Sequence, residues 1–233
     1  MSHRIGRGQV PASAFLRGLA PWYNPCSPTV QPIREVSAAM ETANRIAFKE
    51  WAVICAALER RGQIAILRKG GIHEGRQGFR VAYPEFWLFP TYLHQEAQGL
   101  VGEAQSLLVE VSAQRPPQET VRLEHYAVVK RVFHLSDESQ LKPLDGHHLW
   151  SPATIRGRFI YREPGLFLLL VRVYKIAQAL EFDSSPYFAG CRSWVELPEP
   201  LATAGCQPVL TDEEFVRRER ALLAAIESAV RQR

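Results

Sequence analysis

Glu50 is a carboxylate in apolar company. With Glu41–Arg60 drawn as a helix, it falls among Ala43, Ile46, Val53 and Ala57. The polar stripe of Arg45, Lys49, Ala52, Ala56 and Glu59 lies away from it. A carboxylate taken out of water without a partner costs several kcal/mol, so Glu50 needs a cation. The apolar run that follows ends in Arg68 and Lys69, which supply two. The group is then either a structural ion pair pinning helix to strand or a site carboxylate with a shifted proton affinity.

More polar residues gather behind this pair. Gly70, Gly71, His73 and Glu74 follow at once, and Thr91, His94 and Gln95 come just after Pro90. A glycine pair at the end of a buried strand lets backbone amides face an anion. His73 and His94 sit beside carboxylate or amide side chains and are the candidates to share acid–base work with Glu50. No metal site is expected, because no HxH or HxxxH pair exists and the ligands would come from separated segments. The phosphate loop GxxxxGK[ST] and the nucleophile elbow GxSxG are both absent. So is the E-x-K tripeptide of restriction nucleases.

In the second half, Arg172 and Tyr174 interrupt the face made by Leu166, Leu168, Leu170 and Ile176. Either the buried face ends there or Arg172 points into a cleft. Arg192 beside Trp194 pairs a cation with an aromatic, which serves either to stack a nucleobase or to cover a core edge.

The elements that must carry these residues are partly readable. Glu41–Arg60 is expected to be a helix, over half of it apolar and packed on a sheet. Gln63–Lys69 reads as a strand buried on both faces. Phe86–Phe89 is a short strand stopped by Pro90, and Gln95–Gln114 a helix weakened by Gly99 and Gly102. Val121–Leu135 alternates and is long enough for one bent strand or two. His148–Arg158 is ambiguous. Leu166–Ile176 and Arg192–Leu197 are strands, with Pro198, Pro200 and Pro208 marking loops. Thr211–Glu214 is a capping box opening a terminal helix through about Arg231. The expected fold is α+β: a mixed or antiparallel sheet with an N-terminal and a C-terminal helix packed on it.

Composition agrees with a globular chain. Of 233 residues, 46% are apolar and 22% charged, which excludes a disordered, coiled-coil, collagenous or transmembrane-bundle class. The apolar run Leu166–Val171 is strand-sized, and no uninterrupted apolar run approaches the roughly 18 residues of a span, so no membrane span is expected. The net charge of +4 is uneven. Residues 1–36 hold four Arg and one acid, residues 37–145 balance at 13 against 13, and residues 146–233 carry 11 against 10. The folded part is nearly neutral and shows no basic face by count. Cys26, Cys55, Cys191 and Cys206 form no CxxC pair, so the chain reads as cytosolic, with neither zinc nor a disulfide framework. Cys55 is expected to act as a small apolar residue. Residues 1–36, rich in Pro and Gly, read as a disordered or non-native arm, with Met40 a candidate start. Residues 41–136 and 147–233 are expected to be two lobes meeting at a cleft.

Phe48–Val53, Leu67–Glu74 and Phe86–Gln95, then Leu168–Tyr174, Gly190–Leu197 and Pro208–Phe215, occur in that order. From about residue 44 to 216 the chain resembles the bacterial family called "domain of unknown function 1802". The resemblance implies no established activity; it suggests an association with restriction–modification or defence. The leading expectation is a non-enzymatic module for a nucleic acid or nucleotide phosphate. Lys49, Arg68, Lys69, Gly70, Gly71, Glu74, Thr91, Gln95, Arg172, Tyr174, Arg192 and Trp194 would line its site. Arg68, Lys69 and Arg172 would hold phosphate, with Trp194 as a stacking surface. The alternatives are a hydrolase or nuclease using Glu50 with His73 or His94, and a scaffold or partner subunit. The sequence identifies no cofactor and no oligomeric state.

Overall fold

The computed structural model describes residues 40–60, 62–69, 81–93, 95, 99–190 and 192–231. The arm 1–36 lies outside them.

The first long segment departs from expectation. Instead of one helix, Ala43–Trp51 is a strand (β1) and only Ala52–Arg60 is a helix (α1). The cause is non-local. β1 pairs in parallel with β3 (Glu85–Thr91) and antiparallel with β6 (Trp194–Ala202), so both of its edges are hydrogen-bonded. Ala47 and Lys49 point to one face of the sheet, Phe48 and Glu50 to the other, and all four are buried. A strand buried on both faces has no clean alternation, and its apolar residues can mimic one side of a helix. α1 then continues with Ala52–Leu58 wholly buried.

β2 (Ala65–Arg68), β4 (Thr120–Leu135), β5 (Leu166–Asp183) and the two-residue β7 (Gln207–Pro208) complete a seven-stranded sheet. Its order is β2-β5-β4-β3-β1-β6, with β7 beside β5. The fold is thus α+β, with a mixed sheet in which only β1 and β3 run parallel. β5 lies between β2 and β4, so the stretches 41–136 and 147–233 share one sheet. β4 is a single strand whose pairing with β5 is irregular at two places: between Leu123 and His125 the surplus residues lie in β5, and between Val129 and Arg131 one extra residue in β4 increases the local twist. Pro198 and Pro200 do not end β6. It is an edge strand, where a missing N–H can face away from the ladder.

Two cores fill the two faces. The larger joins Phe48, Phe86, Leu88 and Leu168 to α1, α2 (Gln105–Ala113), α3 (Pro152–Ile160) and α4 (Asp212–Arg231). The smaller gathers Ala47, Trp87, Tyr126, Phe188 and Val195 on the opposite face. Among the described residues of the expected Gln95–Gln114 helix, Gln105–Ala113 is α-helical. Gly99 stays outside it because α3 closes on its backbone: an added Cβ would sit 2.7 Å from Thr154 Oγ1 and 2.8 Å from Ser151 Oγ. α4 begins as expected, with Thr211 Oγ1 accepting from the Glu214 amide at 3.2 Å. The Glu214 carboxylate, however, is drawn to Arg217 and Arg218 rather than back to the cap. Among the described residues, no helix is long and apolar enough to cross a membrane.

Candidate functional site

Glu50 is the last residue of β1 to face the helix-covered core, and only 4% of it is exposed. One oxygen accepts the Trp51 amide at 2.8 Å, and the other lies 3.5 Å from Arg68 Nη1. Arg68 ends β2, at the far side of the strand order from β1 and β6. It also donates to Ser193 Oγ at 2.7 Å, and its guanidinium sits 4.6 Å from the Phe48 ring centroid. The sheet is therefore curled enough for Arg68 to reach from β2 to β1 and to the residue before β6.

Lys69 takes no part in that pair. Successive strand residues point to opposite sides, so one of the two cations must turn away. Its ammonium donates to the carbonyls of Phe159 (3.0 Å), Gly165 (2.8 Å) and Glu163. These surround the C-terminal end of α3, where unpaired carbonyls favour a cation. Burial lowers the Lys69 pKa, and the Glu163 charge opposes that shift. The β2 end thereby fixes α3, and α3 brings in Arg158.

Arg158 was not singled out by sequence. Its guanidinium carbon lies 4.4 Å from the Trp51 ring centroid and 4.2 Å from that of Trp150. The two rings are 4.6 Å apart and inclined at 69°, so the cation sits in the corner between them. Burial lowers its pKa to about 10, with the Glu50 charge opposing and Arg68 reinforcing the shift. Among the described residues its guanidinium donates no hydrogen bond. A guanidinium has five N–H donors, and leaving them unpaired while partly desolvated is costly. Trp150 is held in place by its bridge to Leu100 and by Leu149, whose amide donates to Gln63 Oε1 at 3.2 Å. The available signal was Trp150-Ser151-Pro152, an N-cap residue followed by proline at the first helical position. Ser151 Oγ does accept the Thr154 amide, at 3.2 Å.

The other expected residues are placed as follows. Thr91 Oγ1 donates to the Glu50 carbonyl at 3.2 Å, and Gln95 Oε1 accepts the Val53 amide at 3.2 Å, so both secure the β1–α1 junction. Lys49 faces the opposite core and donates to the carbonyls of Gly190 (3.0 Å) and Phe188. Arg172 pairs with Asp212 at 2.5 Å, donates to the Leu210 carbonyl at 3.2 Å and lies 4.8 Å from the Phe215 ring. It ties the start of α4 to the sheet, with Tyr174 5.9 Å away, and does not join Glu50. Trp194 packs among Phe48, Phe86 and Tyr83 at centroid distances of 4.7, 5.1 and 5.3 Å, and Arg192 lies 5.9 Å from Tyr187. Gly70, Gly71, His73, Glu74 and His94 lie outside the described residues. Cys55 is a buried thiol whose pKa burial pushes well up, the Glu50 charge adding to the rise. Among the described residues, no group of His, Cys, Asp and Glu is arranged to hold a metal ion.

Comparison with curated proteins gave no match. The crystal structure of ASCH from Zymomonas mobilis is similar at 12% identity, covering 77% of this chain and 93% of that one with a TM-score of 0.37. The model of the family described as "Domain of unknown function (DUF1802)" matches residues 47–221, a span holding Glu50, Arg68, Trp150 and Arg158. Matched over most of its length, the chain belongs to that family.

Proposed function

We propose that this protein is a binding module for a phosphate-bearing ligand, a nucleic acid or a nucleotide, that does not turn the ligand over. The observation carrying the reading is Arg158, a guanidinium lodged between two tryptophans whose donors no described residue accepts. Phosphate oxygens are the acceptors that suit such a fork. Arg68 stands as the second cation, steered by Glu50 and Ser193. Glu50 itself is engaged by Arg68 and the Trp51 amide, which suits an orienting role better than proton transfer. A cytoplasmic setting, and a partner among restriction or defence proteins, belong to the same proposal.

Fluorescence anisotropy with labelled oligonucleotides tests it. Affinity should fall as salt rises, with a log–log slope of about −0.7 for each single-strand phosphate neutralised. Arg158→Met keeps the apolar packing and removes the fork. Binding should weaken about 10- to 100-fold, the worth of a charge-assisted hydrogen bond or two. An Arg158→Met protein that is folded and binds as well as the native chain refutes the assignment.

A further inference from the structure

The charge of the site selects among phosphates. Arg68 pairs with Glu50, whose charge also acts on Arg158, so among the described residues two cations share one carboxylate and one positive charge is left unmatched. Lys69 is absorbed by three carbonyls at the end of α3. A phosphodiester carries one negative charge, whereas a terminal phosphate carries about −1.5 to −2 near neutral pH. In a partly desolvated site an unmatched charge is expensive, so the diester is the better complement.

Exposed aromatic side chains lie close to both cations, along the chain from Arg158 and through ring contacts from Arg68. Tyr161, three residues beyond Arg158, is 52% exposed, and Arg162 lies 5.2 Å from its ring. On the other side, Arg68 sits over Phe48, Phe48 packs on Trp194, and Trp194 meets the edge of Tyr83, which is 38% exposed. Unpaired bases on either side of a bound phosphate can stack on such rings, while a duplex keeps its bases inside. We propose that the site binds single-stranded nucleic acid through an internal phosphodiester, with the flanking bases on Tyr161 and Tyr83. This rests on the phosphate-binding reading above and narrows it.

The test uses the full chain and fluorescein-labelled single strands of roughly twelve nucleotides, DNA in one arm and RNA in the other. A duplex of the same sequence and AMP serve as comparisons. At least one single strand should bind about tenfold or more tighter than the duplex, and AMP in about hundredfold excess should not displace it. Tyr161→Ala and Tyr83→Ala, both at exposed positions, should each weaken binding about tenfold without loss of folding. Displacement by AMP at that excess, or equal binding of the duplex, overturns the single-strand assignment and leaves phosphate binding standing. If no strand binds even at low salt, both readings fall.

Discussion

His148 should make the protein acid-sensitive well above the range in which carboxylates titrate. It is 5% exposed, and among the described residues neither ring nitrogen has a hydrogen-bond partner. Burial lowers its pKa from 6.5 to about 4; Asp145 opposes the shift and His147 adds to it. The folded state therefore keeps the imidazole neutral, while the unfolded chain takes up a proton near pH 6.5. The stability from the neutral ring is complete above that value and is lost as pH falls from 6.5 towards 4. At about 1.4 kcal/mol per pKa unit, linkage gives a loss of about 2 kcal/mol by pH 5. Urea unfolding at pH 7, 6 and 5 of the native protein and of His148→Leu measures it. Burial also lowers the pKa values of His134 and His147, whose contributions have the same sign and cancel between the two proteins. The stability difference should shift by about 2 kcal/mol in favour of the variant as pH drops. A difference constant across that range, whatever its absolute value, refutes the reasoning.

Two further outcomes follow from how α3 is held. Lys69→Met removes the cation shared by three carbonyls at the helix end; thermal unfolding should show a loss of about 1–2 kcal/mol, and ligand affinity should fall as Arg158 loses its seat. Gly99→Ala places a methyl against Ser151 and Thr154 at the other end, so it should cost about 1–2 kcal/mol by denaturant unfolding, whereas Gly102→Ala, whose Cβ meets nothing within 4 Å, should cost less.

What could be read from sequence was what local chemistry decides. The terminal helix was legible because Thr211 and the spacing of Phe215, Leu222 and Ile226 act within one segment. β1 was not, because its partners are Trp87–Thr91 and Trp194–Ala202, far along the chain. Glu50 was nonetheless expected to be buried against Arg68, and it is. That inference was drawn on a helical wheel and holds for a different reason: in the strand, Glu50 shares its face with the buried Phe48, and a cation at a strand end still reaches it. Lys69 was misplaced for the converse reason. Assigning both members of Arg68-Lys69 to one carboxylate ignores the alternation that a strand imposes. Arg158 needed Trp51 and Trp150 to meet, a contact between residues remote in sequence and invisible to any spacing rule.

The two cations therefore differ in what they can reveal. Arg68 ties β2 to β1 and to the residue before β6 across a curled sheet, so it belongs to the fold as much as to the site. Replacing it removes a possible phosphate contact, strands the buried Glu50 and loosens the sheet closure together. A loss of binding in such a variant has three explanations. Arg158 has stacking contacts with Trp51 and Trp150 but no described hydrogen-bond acceptor, so a methionine there keeps much of the packing and spends none of the network. If the site binds phosphate, Arg158 substitutions should therefore separate affinity from stability, and Arg68 substitutions should lower both.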